Sequence, residues 1–163
     1  MIFEQIKSFL DDQNQPEYRY DQILTAIFEN RVGEFSEMTT LSKDLRTKLT
    51  KNYSRITKID PIKTEQVENA RKKLFKLEDG ERIETVKMSY TPDQDTSWQT
   101  LCLSTQAGCG LGCKFCATGQ IGLKRNLTVQ EILDQILYFH LNGEQISNLV
   151  FMGMGEPLVN PHL

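Results

Sequence analysis

Apolar residues recur at helical spacing through the first third of the chain and at strand spacing after it. Ile2, Phe3, Ile6, Phe9 and Leu10 form the apolar stripe of a short amphipathic helix that also carries Glu4 and Lys7. Between Asp21 and Arg31, residues Ile23, Leu24, Ile27 and Phe28 share a second stripe, and Leu41, Leu45 and Leu49 make a third at four-residue spacing. Three short helices with polar connections predict a small helical bundle within residues 1–60. Pro61 then falls in a polar stretch that reads as a linker. Leu74-Phe75-Lys76-Leu77 and Ile83-Glu84-Thr85-Val86-Lys87-Met88 flank Glu78-Asp79-Gly80-Glu81, and an Asp-Gly between two such runs predicts a β-hairpin. Residues 61–98 are therefore expected to be linker and hairpin, ending in a turn-rich loop from Thr91 to Ser97.

The remainder, residues 99–163, has a different rhythm. Thr100-Leu-Cys-Leu-Ser104 reads as a buried strand and runs straight into a cysteine-rich loop. Thr128-Val-Gln-Glu131 is a capping-box pattern. Behind it Val129, Ile132, Leu133, Ile136, Leu137 and His140 fall on one helical face, and Gly143 is a natural stop. Asn148-Leu-Val-Phe-Met152 reads as another buried strand, leading into Gly153-Met-Gly-Glu-Pro157. Strand, loop, helix, strand spells a βαβ unit, hence a parallel sheet with a right-handed crossover. The fold class is α/β: a small helical domain, a hairpin, and the first βαβ part of a larger sheet or barrel. Such folds place chemistry at the C-terminal ends of the strands, so the cysteine loop and the Gly-Glu-Pro run are expected on one edge. One crossover helix and two parallel strands leave edges without partners, which predicts the N-terminal part of a longer protein.

Composition changes this picture little. The chain has 163 residues, 39% hydrophobic and 25% charged, which is ordinary for a globular protein. The start has neither the apolar core nor the small-residue cleavage site of a signal peptide, and no run is long and apolar enough for a membrane span, so a cytoplasmic location is expected. A net charge of −3 argues weakly against nucleic-acid binding. Arg71-Lys72-Lys73 and Lys124-Arg125 are local basic spots whose simplest reading is a solvated surface.

Four cysteines in a cytoplasmic chain favour metal or redox chemistry over structural disulfides. Three of them, Cys109, Cys113 and Cys116, sit in Gly108-Cys-Gly-Leu-Gly-Cys-Lys-Phe-Cys116. Three thiolates hold three corners of a four-iron cluster and leave one iron open to a small molecule such as S-adenosylmethionine. The glycines suit a loop wrapped closely around a bulky cluster, and Phe115 is placed to pack on an adenine. Zinc completed by His140 or His162, or three unrelated thiols, are the alternatives. Zinc ribbons, however, show paired C-x2-C, and His140 reads as a half-buried helix residue. Gly155 and Glu156 offer close backbone approach and a carboxylate at a strand end, although Gly-x-Gly after a strand is often only a tight turn. Cys102 reads as a small buried hydrophobe that could reach a radical site. Glu84 reads as a solvent-facing strand carboxylate unless it turns towards the same cavity.

Residues 99–159 resemble the RlmN/Cfr family of radical S-adenosylmethionine enzymes, which methylate an adenine of 23S ribosomal RNA. The resemblance lies in Cys109 to Cys116, Ala117-Thr-Gly119, Gly122-Leu-Lys-Arg-Asn-Leu-Thr128 and Phe151-Met-Gly-Met-Gly-Glu-Pro-Leu158. It extends back through Glu84-Thr-Val86 and, more loosely, through the helical region. It implies a [4Fe-4S] cluster on Cys109, Cys113 and Cys116, and S-adenosylmethionine against Gly155 and Glu156. Glu84 takes the position of a proton acceptor or substrate-side carboxylate. Cys102 takes that of the thiol that finishes the reaction through a transient disulfide. It also implies 23S rRNA as partner, with transfer RNA in one branch, a flavodoxin-type reductant, and N-terminal helices that contact RNA presenting its adenine unstacked. The family's methyl-carrying cysteine lies near the C-terminus and has no counterpart in these 163 residues, so they are not expected to methylate alone. Glu84 to Tyr90 and Gln135 to His140 resemble the C8-methylating, antibiotic-resistance branch. Gly119-Gln120 and Gly155-Glu156-Pro157 resemble the C2 branch, and the balance favours C8. A small iron–sulfur electron carrier and a zinc-stabilised RNA-binding module are the other classes.

Overall fold

The structure, a computed structural model, describes residues 1–91 and 97–162. The expected Thr91–Ser97 turn therefore falls largely outside the described residues. The chain divides into two compact units, Met1–Thr57 with Tyr138–Glu144, and Lys58–Leu137 with Gln145–Leu163.

In the first unit the three predicted helices are present as α1 (Ile2–Asp12), α2 (Tyr18–Phe28) and α3 (Lys43–Tyr53). Their stripes meet in a core of Ile2, Ile6, Leu10, Ile23, Ile27, Leu45 and Leu49, joined by Phe35 and Met38 from the connection between α2 and α3. Each such side chain contributes about 1.5–3 kcal/mol by leaving water. Ser42 caps α3 by accepting from the Leu45 N–H at 3.3 Å. Phe28, expected on the apolar stripe, is 47% exposed and lies against Phe3 and His140.

The second unit is built on a five-stranded sheet of order β1 (Asp60–Val67), β2 (Ala70–Lys76), β3 (Arg82–Tyr90), β4 (Trp98–Cys102) and β7 (Asn148–Val150). The hairpin is β2–β3, with Gly80 at φ +92° in its turn. β4 and β7 pair in parallel, as the βαβ pattern requires. The crossover carries β5 (Gln106–Ala107), the five-residue α4 (Ala117–Ile121), β6 (Arg125–Asn126) and α5 (Val129–Leu141). The capping box at the start of α5 forms: Glu131 N–H donates to Thr128 Oγ1 at 3.3 Å, and the Glu131 carboxylate accepts from Thr128 N–H at 2.9 Å.

Two expectations are corrected. The segment after Pro61 is strand β1, exposed along its whole length. A strand paired on one side and wet on both faces needs no apolar alternation, so its composition imitates a linker. The second predicted buried strand is short and largely exposed, with Leu149 47%, Phe151 42% and Met152 78% accessible. It is an edge of the sheet among the described residues. No described helix is long and apolar enough to cross a membrane.

The two sheet faces differ. Strand alternation and the β2–β3–β4 register put Phe75, Ile83, Thr85 and Leu101 on one face, all fully buried. Leu74, Glu84, Val86 and Cys102 lie on the other.

Candidate functional site

The second face opens into a cavity of about 490 Å³ lined by Leu74, Glu84, Gly108, Thr118, Lys124 and Met154, with the hairpin turn at its rim. Parts of four sequence motifs, far apart along the chain, therefore meet at one place. They are the Glu84 strand, the first residue of the cysteine loop, the Ala-Thr-Gly that follows it, and the Gly-Met-Gly-Glu-Pro turn.

Glu84 turns towards this cavity. Its carboxylate is 3.1 Å from Lys72 Nζ, and Lys72 also pairs with Glu65 at 3.3 Å. The Lys72 ammonium is held above its ordinary range, chiefly by its hydrogen bond to Glu84 and then by that to Glu65. Cys102 is on the same sheet face, directly opposite Val86, but is not among the cavity-lining residues. Burial pushes its thiol pKa up, so it is a neutral thiol at neutral pH.

The Gly-Met-Gly-Glu-Pro turn is docked by backbone and side-chain hydrogen bonds. Met154 C=O accepts from Thr105 N–H at 2.8 Å and Gln106 N–H at 3.1 Å. Met154 N–H donates to Ser104 Oγ at 2.9 Å, and Glu156 N–H to Gln106 Oε1 at 3.0 Å. The glycines let this turn approach the strand end closely: a Cβ on Gly153 would stand 2.7 Å from Leu103 O, and one on Gly155 2.5 Å from Gln106 Cβ. The Glu156 carboxylate caps the short turn Pro157–Val159 by accepting from Leu158 N–H at 3.1 Å. The structure thus brings Met154 to the cavity, while Gly155 and Glu156 lie beside it.

Three buried polar residues that pattern reasoning missed hold this arrangement. Gln135 on α5 accepts from Thr85 Oγ1 at 2.7 Å and Ser104 N–H at 2.9 Å, and donates to Ser104 C=O at 2.9 Å. Ser104 Oγ in turn donates to Glu84 C=O. Gln106 bridges Asn126 and Glu156. Asn160 donates to Thr105 C=O at 2.8 Å and Leu127 C=O at 3.0 Å. Gln135 falls off the apolar stripe of Val129, Ile132, Leu133, Ile136 and Leu137, so helical spacing gave no signal for it. For Gln106 and Asn160 the sequence offered none.

The cysteine loop is built differently. Gly108 and Gly112 have φ of +77° and +62°, and a Cβ on Gly108 would overlap the Gly122 carbonyl. Cys109 N–H donates to that carbonyl at 3.2 Å, and Cys116 N–H to Cys113 C=O at 3.1 Å. All four cysteines are free thiols. The Cys116 thiol is held below its ordinary range by N–H donors from Gly119 and Thr118 at the start of α4. That favours the thiolate a metal requires. Phe115 is 93% exposed. Among the described residues no three His, Cys, Asp or Glu side chains converge as a metal cage. The three cysteines have the residue type and the C-x3-C-x2-C spacing of a cluster-binding set, while their sulfurs are not gathered on one point. His140 is spoken for, with Nε2 3.1 Å from Ile27 O.

The basic spots are largely neutralised. Arg125 makes a two-pronged pair with Glu131 at 2.7 and 2.9 Å and reaches Asp79 at 2.5 Å. These partners push its pKa further up. Lys72 is shared by Glu65 and Glu84, and Lys73 bonds Thr64 Oγ1.

Two family models match. Residues 1–54 match the ribosomal RNA large subunit methyltransferase N-terminal domain, and residues 103–163 the radical SAM superfamily. A "Ribosomal RNA large subunit methyltransferase Cfr" of Lachnoclostridium phytofermentans is 44% identical over 99% of this chain and 46% of its own length. The protein of the same description from Staphylococcus aureus is 47% identical over 97% of this chain and 44% of its own. A crystal structure of a radical SAM methyltransferase from Sphaerobacter thermophilus superimposes with a TM-score of 0.83 at 36% identity, over 98% of this chain and 47% of that one. The chain spans less than half the length of the relatives it matches.

Proposed function

The chain belongs to the radical SAM family of ribosomal RNA large-subunit methyltransferases, and from that premise we propose that it serves methylation of a 23S rRNA adenine, at C8 rather than C2. The observation that carries this reading is the single cavity lined by Glu84, Gly108, Thr118 and Met154. It brings a carboxylate, the edge of the cysteine loop and the Gly-Met-Gly turn to one volume of about 490 Å³, room for one nucleoside-sized ligand.

Cys109, Cys113 and Cys116 would hold a [4Fe-4S] cluster, which when bound supplies the electron that cleaves S-adenosylmethionine. This chain's own residues set the stage for that chemistry. The Gly119 and Thr118 N–H groups lower the Cys116 thiol pKa, which favours its thiolate form. Met154 forms part of one wall, docked through its backbone on Ser104 Oγ and on the Thr105 and Gln106 N–H groups, with Gly155 beside it. Glu84 holds a carboxylate at the cavity, paired with Lys72 at 3.1 Å. Cys102 stays protonated and shielded on the same sheet face, which preserves it for a late thiol step. The preference for C8 rests on the wording of Glu84 to Tyr90 and of Gln135 to His140.

Anaerobic reconstitution with iron and sulfide tests the cluster. The chain should turn brown, with absorbance at roughly 400 nm, and lose the colour when any of the three loop cysteines becomes alanine. A colourless, zinc-loaded chain refutes it and favours the RNA-binding module. With reductant and S-adenosylmethionine, release of 5′-deoxyadenosine separates the enzyme from an electron carrier. The position is read by extending the chain to its relatives' length, incubating it with a 23S rRNA transcript and digesting the product. 2-Methyladenosine overturns the C8 assignment.

A further inference from the structure

The β2–β3 turn at the rim of the cavity has its acids engaged elsewhere and its cations free. Glu78 pairs with Lys58 at 3.4 Å, and Asp79 accepts from Arg125, whose guanidinium also holds Glu131. Further along β3, Glu84 is taken by Lys72. Directly below the turn the strand register sets Lys76 opposite Arg82. Strand alternation puts both on the sheet face that carries Glu84, with Cβ atoms about 5 Å apart. Like charges directly opposite each other destabilise a hairpin. Among the described residues neither Lys76 nor Arg82 has an ion-pair partner.

Lys124 is a third free cation. It lines the cavity with Arg82, and the Arg125–Asp79 pair ties its chain neighbour to the same turn. Arg82 and Lys124 are exposed, whereas Leu74, Glu84, Thr118 and Met154 are half-buried and Gly108 is buried. The cations therefore stand at the mouth, and the rest of the lining lies behind them. Glu81 is the lining carboxylate that has no cation of its own, and it offsets only one of these three charges.

We infer that Lys76, Arg82 and Lys124 form a phosphate subsite at the mouth of this cavity. An arginine fork flanked by two ammonium groups, each from a different segment, suits the non-bridging oxygens of a phosphate. A nucleoside-sized space behind such a mouth takes a nucleotide base-first and leaves its phosphate on the rim. S-adenosylmethionine carries no phosphate, so the subsite separates the two ligands. It positions the nucleotide that is to be modified and is indifferent to the sulfonium cofactor. Contacts of this kind fix register without reading sequence. The inference rests on the reading that a substrate nucleotide enters this cavity.

The test is isothermal titration of the 163-residue chain with adenosine 3′,5′-bisphosphate, adenosine and S-adenosylhomocysteine at about 100 mM salt. The bisphosphate carries the two phosphates that flank an adenosine within a strand, and it should bind about tenfold more tightly than adenosine. R82Q/K124Q should erase that margin, K76Q should narrow it, and the charge-conserving R82K/K124R should keep most of it. K7Q/K63Q removes equal charge elsewhere and should leave it unchanged. Circular dichroism melts show that each variant is folded. Failure of the parent chain to bind the bisphosphate more tightly than adenosine overturns the inference, as does an equal loss in K7Q/K63Q. If R82Q/K124Q loses S-adenosylhomocysteine binding as fully as bisphosphate binding, the cations serve the cofactor's carboxylate and the phosphate subsite is refuted. Release of 5′-deoxyadenosine is measured separately on the reconstituted chain. Its absence beside phosphate-dependent binding refutes the methyltransferase reading and spares the subsite; release without any preference for phosphate does the reverse.

Discussion

Two loops border the same cavity and are held in opposite ways. The Gly153–Pro157 turn is fastened to the one segment 103–106, by the Ser104 and Gln106 side chains, the Leu103 carbonyl and the Thr105 and Gln106 N–H groups. The Cys109–Cys116 loop is fastened mainly by its own backbone and leaves Leu111 and Phe115 to solvent. The first is a finished wall, its geometry fixed by the fold. The second is held by few contacts from the rest of the fold, and its Cys116 thiol has its pKa lowered by the Gly119 and Thr118 N–H groups.

The largest break in this comparison comes from Gln135. Q135A strands Thr85 Oγ1 and both backbone groups of Ser104 in a buried place, and should cost about 3–5 kcal/mol in urea unfolding. A loss under about 1 kcal/mol would show that the wall is not held by this amide.

A smaller effect concerns Asp134, one helical position away. It is fully buried, accepts from Lys58 N–H at 2.8 Å and Gln130 Nε2 at 2.6 Å, and burial raises its pKa to about 6. A carboxyl raised in the folded state favours folding while protonated. Its stabilisation is full below about pH 4 and is lost as pH rises through about 6. The parent chain should therefore lose about 2–3 kcal/mol relative to D134N between pH 4 and pH 7.5. Parallel pH profiles for the two would contradict this.

Glycine substitutions test the two loops directly. Alanine at Gly153 drives a Cβ into the Leu103–Ser104 backbone and should cost about 2–3 kcal/mol. Alanine at Gly112 meets no atom within 4 Å and bears only its left-handed backbone, about 1 kcal/mol. Equal costs would erase the distinction between wall and loop.

The gentlest probe is labelling with iodoacetamide at pH 8. The three half-buried loop thiols should react in the native state, and Cys102 only after unfolding. Mass spectrometry of the peptides reads this. Native-state labelling of Cys102 would place it in the open cavity rather than beneath it.

Much of the fold was legible because it follows one-dimensional rules. Leu45 and Leu49 announce α3, Asp79-Gly80 announces the hairpin, and Thr128 with Glu131 announces the start of α5. Strand-end logic also put the cysteine loop and the Gly-Glu-Pro run on one edge, whereas Glu84 joined them only through the family resemblance. What stayed hidden depends on partners that sequence spacing does not encode. β1 is a strand because β2 pairs with it, not because its residues alternate. Arg125 looks like a free cation until Asp79, 46 residues away, is placed beside it. Asp134 and Gln135 lie off the apolar stripe of α5, and their burial follows from distant partners, Lys58 N–H for Asp134 and Thr85 and Ser104 for Gln135.

Asn160 closes the Thr105 carbonyl across 55 residues of chain. During synthesis at about 5–20 residues per second, that carbonyl is made about 3–11 seconds before the amide that satisfies it. The Leu127 carbonyl waits for the same side chain. Until Asn160 is made, both carbonyls lack the amide that satisfies them in the folded chain. The last residues of this segment thus act as a latch in time, so that the cysteine loop is made before the frame that carries it is locked.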